Sequence, residues 1–247
     1  MSKKILFLVE GKKAEYDAIK TIAKNMFNLI DENYEVYSYN SSIYELYDEL
    51  NRDSDLDLIG LLIEKRLISL SYNETRNDIF SQIYLVFDFE PHYQKYSDDK
   101  IIELLNFFNE ETENGKLYIN YPMFEAAFYI DDYKHPKYFF KCIEIENCKG
   151  SIFKKEVKRI TCLINDKKHI DWTFSKKENL LCSVKWNFEI LKKLTNNIDD
   201  NREIDYGLIL EKEIEMKNKY NKIIVLSTFV LIIFDFKPDI VKELLIN

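Results

Sequence analysis

Two hydrophobic periods alternate along the first 130 residues. Residues 4–9 form a short apolar run rich in branched side chains, which predicts a strand buried on both faces. Gly11 breaks it. Ala14, Ala18, Ile22, Met26 and Ile30 then recur every four residues, with Ile19 and Ala23 beside them, and predict a helix over 13–30. A second strand is predicted over 34–39, and Ser41-Ser42 with Glu45 offers capping for a helix to Leu50. The acidic stretch 52–57 leads into a further helix over 58–70, part of an insertion of about 52–80. Residues 83–87 repeat the buried-strand signature and stop at Asp88-Phe89-Glu90-Pro91, because proline cannot continue a central strand. Ser97-Asp98-Asp99 caps a helix reaching about Glu111, and 116–119 is a fourth strand.

This βαβαβαβ order predicts an α/β fold, a parallel sheet flanked by helices, with functional groups gathered at the carboxyl ends of the strands. Beyond residue 133, helices are predicted near 151–165, 175–195 and 205–219, with a last apolar element at 223–234. The chain accordingly divides into 1–132, the sheet-bearing and site-bearing part, and 133–247, mainly helical and locally basic.

With 46% hydrophobic and 15% aromatic residues, a substantial core is available. No Gly-x-x-x-x-Gly-Lys-Ser/Thr and no Gly-x-Gly-x-x-Gly occurs, so the loops that cradle phosphates for autonomous ATP hydrolysis or dinucleotide binding are missing. A formal charge of -8 argues against coating nucleic acid through bulk positive charge. The distribution is uneven: residues 149–193 hold 12 lysines and arginines against five acids. That stretch reads equally as a solvated helical face or as a polyanion-facing surface, and its Trp172, Phe174 and Trp186 as base-stacking or core residues. Cys142, Cys148, Cys162 and Cys182 have no metal-site spacing and read as ordinary thiols. Glu10 ends the first apolar run too early for an export signal, and 223–234 falls well short of the ~20 residues of a membrane span. A cytoplasmic protein without a membrane segment is expected.

The candidate chemistry lies where the strands end. Glu10 follows the first strand; Asp88 and Glu90 close the third, and in extended chain they share a face while Phe89 points away. If the two strands are neighbours, three carboxylates converge. Such a cluster repels itself and raises its pKa values, a penalty that a divalent cation removes. Hard oxygen ligands suit Mg2+ or Mn2+. Each acid alone would serve as well in a cap or an exposed ion pair; their conjunction points to a site.

Leu8-Val9-Glu10-Gly11-Lys12-Lys13-Ala14-Glu15 followed by Val86-Phe87-Asp88-Phe89-Glu90 resembles the topoisomerase and primase (TOPRIM) fold. The resemblance covers roughly residues 3–130 and is nearest the RloB-like and overcoming-lysogenization-defect (OLD) type nucleases of bacterial anti-phage defence. It implies a glutamate and an Asp-x-Asp pair that bind Mg2+ for cutting phosphodiester bonds. It also implies a second acid in the first helix, matched by Glu15, and an Asn-Pro-x-Phe-Glu-like element, matched loosely by Asn120-Tyr121-Pro122-Met123-Phe124-Glu125. An ATPase partner that restrains and triggers the nuclease is implied in the same way. Two features depart from the pattern: Glu90 replaces the second aspartate, and the insertion lengthens the spacing between motifs.

Glu125, among apolar neighbours, needs a partner: a lysine such as Lys134 or Lys137, or a metal. Lys12 and Lys13, at the start of the first helix, read as phosphate-steadying groups or as solvated lysines. His92 reads as a proton carrier or as polar surface. The reading that joins these residues is a Mg2+- or Mn2+-dependent endonuclease acting on DNA or tRNA. Glu10, Asp88 and Glu90 hold the metal in it, and Glu15 and Glu125 assist. Its rival is a catalytically degenerate TOPRIM-like binding or assembly module. Self-association into a homo-oligomer stays open.

Overall fold

The computed structural model describes residues 3–25, 27–30, 32–69, 79–130, 141–160, 177–195 and 204–236. Met26, Lys134, Lys137, Cys162, Trp172 and Phe174 lie outside the described residues. The first part contains β1 (Lys4–Val9), α1 (Ala14–Asn25), β2 (Tyr34–Ser38), α2 (Ile43–Leu50) and α3 (Leu58–Glu64). It continues with β3 (Phe80–Asp88), α4 (Asp98–Phe107), β4 (Asn109–Glu110), β5 (Gly115–Tyr121) and a 3-10 turn at Phe124–Phe128. The second part holds β6 (Cys142–Glu144), α5 (Gly150–Ile160), α6 (Lys177–Thr195) and α7 (Tyr206–Tyr220). It ends with β7 (Lys222–Ile224), β8 (Leu226–Ser227), a 3-10 turn at Phe229–Ile232 and α8 (Ile233–Phe236). No helix among the described residues is long and apolar enough to cross a membrane.

The main sheet is ordered β2-β1-β3-β5-β4; β1, β2, β3 and β5 run parallel. The α/β class expected from the periodicity is therefore present. Because β2 lies on one side of β1 and β3 on the other, the chain reverses its winding between β1 and β3. Right-handed crossovers then put α1 on one face of the sheet and the connections from β2 onward on the opposite face. The carboxyl ends of β1 and β3 flank that reversal. Both strands are apolar on both faces because both faces are covered: Phe7 stacks on its register partner Tyr84 at 5.5 Å, and Phe87 meets Tyr39 on the other side.

Local chemistry explains most element ends, and it shortens three predicted helices. Ser42 caps α2 by accepting from the Glu45 amide, as its sequence promised. The predicted 13–30 helix stops at Asn25, and Asn28 turns left-handed (φ 54°). The predicted 58–70 helix stops at Glu64, before a left-handed Arg66. The helix expected to reach Glu111 stops at Phe107, because Asn109 and Glu110 pair with Lys116 and Gly115 as β4. Gly115 opens β5 with φ 123°, where a Cβ would lie 2.7 Å from Leu85 Cδ1, so only glycine fits.

The division at 132 is not a division of the core. One hydrophobic cluster spans both parts, β8 adds antiparallel to β5, and Phe236 stacks on Phe27 at 4.1 Å and on Phe7 at 6.2 Å. Asp98, expected to help cap α4, instead binds α7 through Lys217 (3.1 Å) and Asn218 (3.2 Å). The apolar element predicted at 223–234 is two short strands, a 3-10 turn and the start of α8, not one helix.

Candidate functional site

Glu10 leaves β1 where the winding reverses, and its Oε2 accepts the Asp88 backbone amide at 3.0 Å. That bond joins the two strand ends predicted to be neighbours. Glu15, in the first turn of α1, folds back over Gly11: a Cβ on residue 11 would sit 2.3 Å from Glu15 Oε2. The Glu-Gly pairing in the sequence thus has a steric reason, since any side chain at position 11 would displace the carboxylate of Glu15.

Asp88 closes β3 with 9% of its surface exposed. Phe89 and Glu90 then depart from the extended geometry predicted for them. Glu90 adopts φ 39°, in the left-handed region, so strand alternation is not what aligns it with Asp88. The turn is tied down on every side. The Phe89 amide bonds Asn120 O, the Glu90 amide bonds Pro122 O (3.1 Å), and the Tyr44 hydroxyl donates to Phe89 O. Glu125 stands in the Phe124–Phe128 turn just beyond β5 and pairs with Lys154 of α5 at 2.9 Å. Its partner among the described residues is thus a lysine remote in sequence, while Lys134 and Lys137 lie outside the described residues.

The electrostatics show that these residues share one environment. Burial, then the charges of Glu90 and Glu15, push Glu10 up to about 8, against the Asp88 amide and Lys154. Asp88 is held well above the carboxylate range by burial, followed by Glu10, Glu15, Glu125 and Glu90. Glu15 is raised by burial and Glu125, against its own amide and Lys154, and Glu90 is raised by burial against Lys154. Lys154 would be lowered by burial, but Glu125, Glu15 and Asp88 hold it above its ordinary value. Among the described residues five acids therefore gather around one lysine, a candidate that sequence reasoning missed. Its only signal was membership of the basic stretch beginning at Lys149.

Asn120 extends the site into the core. Its Nδ2 lies 3.5 Å from Asp88 Oδ1, while its Oδ1 accepts from Ser227 Oγ at 2.8 Å. Ser227 N in turn bonds Asn187 Oδ1, so β8 and α6 fix the amide that faces Asp88.

The remaining candidates are placed as follows. Lys12 and Lys13 are exposed just before α1. His92 is lowered by burial and by Lys149, and its buried Nδ1 has no hydrogen-bond partner among the described residues. Trp186 is 1% exposed and packs in the core beneath Lys141, which excludes it from stacking on bases. Of the described thiols, Cys148 is buried, Cys182 half-buried and Cys142 exposed.

The donor set is all carboxylate oxygen, buried and self-repelling, which suits a hard divalent cation by type and by charge. The positions as they stand are not yet a ligand set: among the described residues no three His, Cys, Asp or Glu side chains are placed to hold a metal ion. Glu10 is engaged by an amide, Glu125 by Lys154, and Glu15 lies over Gly11. No family model, no curated protein and no solved structure matches this chain.

Proposed function

We propose that the chain is a divalent-metal-dependent phosphodiester hydrolase acting on nucleic acid. The observation that carries this reading is the convergence of Glu10, Glu15, Asp88, Glu90 and Glu125 at the winding reversal, with Lys154 as the one cation acting among them from the described residues. A purely structural site would neutralise its acids individually. This one leaves Asp88 and Glu10 to be kept neutral by protons, which a cation can replace.

In this reading Glu10, Asp88 and Glu90 hold Mg2+ or Mn2+, and Glu15 and Glu125 support them. The ion supplies charge neutralisation at a scissile phosphate and a more acidic water. Glu90, one methylene longer than aspartate and already above its ordinary pKa, would hold the metal or serve as a base beside it. Asn120, held by Ser227, orients Asp88. Lys154 is half-exposed and can pass from Glu125 to a phosphate oxygen, while Lys12 and Lys13 steady a neighbouring phosphate. The resemblance to RloB-like and OLD-type defence nucleases supports an effector role under an ATPase partner, since the chain has no nucleotide-binding loop of its own.

One observation favours a second reading, a binding module that has kept the fold and lost the reaction: the acids are not in ligating positions. Incubating the purified protein with DNA and with tRNA in Mg2+ or Mn2+ separates the two. Cleavage by wild type that drops at least about 100-fold in both Glu10→Ala and Asp88→Ala supports the hydrolase. Equal products from all three proteins overturn it.

A further inference from the structure

The lysines of this chain fall into two sets. Lys4, Lys65, Lys95, Lys100 and Lys222 each stand within 4 Å of an acid. Lys12, Lys13, Lys149, Lys155 and Lys158 are exposed and have no ion-pair partner among the described residues, as is also true of Lys3 and Lys24. Lys12, Lys13, Lys149, Lys155 and Lys158 come from the two segments that border the acid cluster: Lys12 and Lys13 follow Glu10, and the others belong to α5 or directly precede it.

The geometry of α5 sets their direction. Phe153 and Val157 form its buried side, and Lys154 leaves one flank to reach Glu125. At 100° per residue, Lys158 shares that flank one turn on, and Lys155 stands beside it on the outer face. Lys149 lies at the opposite end, where its charge acts on His92. From Lys149 to Lys158 the lysines extend about 13 Å along the helix, more than a single phosphate can occupy. Ile152 is the one large apolar side chain of α5 that is exposed, so the face lacks the apolar half of a membrane-binding helix.

We propose that this flank of α5, with the start of α1, is the track for the sugar–phosphate backbone of a polynucleotide, which lays one phosphate over the acid cluster. The assignment rests on the hydrolase reading for what happens at that phosphate, but not for the binding itself. It also removes an apparent conflict: an acidic protein holds a polyanion through a local row of unneutralised ammonium groups, each releasing counterions on contact.

Fluorescence anisotropy with a labelled 20-nucleotide DNA and an RNA of the same sequence tests the track. Ca2+ replaces Mg2+, and KCl runs from about 50 to 200 mM. Binding by wild type should fall linearly in log affinity against log salt. In Lys155→Gln/Lys158→Gln the slope should be shallower by about 1.4–1.8 and the affinity lower by on the order of tenfold, with the circular dichroism spectrum unchanged. Lys212→Gln/Lys219→Gln, on α7, should behave as wild type. Whichever strand binds more tightly identifies the sugar. Equal slopes in wild type and the α5 variant, no binding to either strand, or binding only to phosphatidylserine vesicles would each overturn the track. A wild-type affinity for the strands that does not change with salt, with Mn2+ affinity retained, sinks the track alone. An intact slope without cleavage in any divalent metal sinks the hydrolase and leaves the track standing.

Discussion

Among the described residues carboxylates are buried in two places, and they differ in kind. Glu213 of α7 is fully buried; one of its oxygens accepts the Ile224 amide at 2.9 Å, and the other has no partner among the described residues. Its pKa is raised well above the ordinary value by burial, which the Ile224 amide only partly opposes. The strand-end acids are also raised, but there the charges of other carboxylates add to burial. A perturbed acid is therefore not by itself the mark of a site. Glu213 is a lone neutral acid stitching α7 to β7, whereas the cluster is a set of acids whose repulsion a cation would relieve.

The largest test of that difference is the pH dependence of stability. A carboxyl whose folded pKa is raised contributes its full stability below the ordinary value near 4.5 and loses it as pH climbs through the raised one. For Glu10 that window closes near 8. Metal-free protein should therefore lose a few kcal/mol of unfolding free energy between pH 5 and pH 8, read by urea denaturation. Mn2+ at about 100 times its dissociation constant should restore about 2.7 kcal/mol at pH 8. A profile that Mn2+ does not move would place the cluster in the same category as Glu213, and a flat profile would contradict the raised pKa values of both.

Of intermediate size are two neutralising variants. Asp88→Asn puts a permanently neutral amide where a carboxyl must bind a proton or repel its neighbours, and should raise the metal-free melting temperature at pH 8 by about 2–4 °C while abolishing the response to Mn2+. Glu213→Gln keeps an acceptor for the Ile224 amide and should give a similar rise with the Mn2+ response intact. A marked drop for Asp88→Asn would show that its carboxylate is a structural ion-pair partner.

The smallest effect is expected from Ser227→Ala, which leaves Asn120 Oδ1 without its donor and should cost about 1 kcal/mol. Because the freed amide can turn away from Asp88, Mn2+ affinity should weaken as well. A stability loss with unchanged Mn2+ affinity would confine this network to the core.

Much of the fold was legible because buried parallel strands read as apolar runs and the acids that end them stand out. Glu10 and Asp88 were found in that way, and their strands are neighbours. Glu90 was found for an incomplete reason. Its carboxylate joins the cluster through a left-handed turn fixed by Pro122 and Tyr44, residues that no local pattern ties to position 90. Lys154 was indistinguishable from its neighbours among the lysines of the basic stretch.

The sequence by itself determined the alternation of strand and helix and the position of Glu10 and Asp88 at strand ends. These follow from side-chain period and backbone sterics, which act over a few residues. Tertiary structure decided which cation enters the cluster, which amide faces Asp88, and that residues beyond 200 complete the same sheet. Those outcomes depend on pairing segments separated by about 30 to 110 positions, where burial and hydrogen-bond satisfaction of the whole chain, not any local propensity, select the partners.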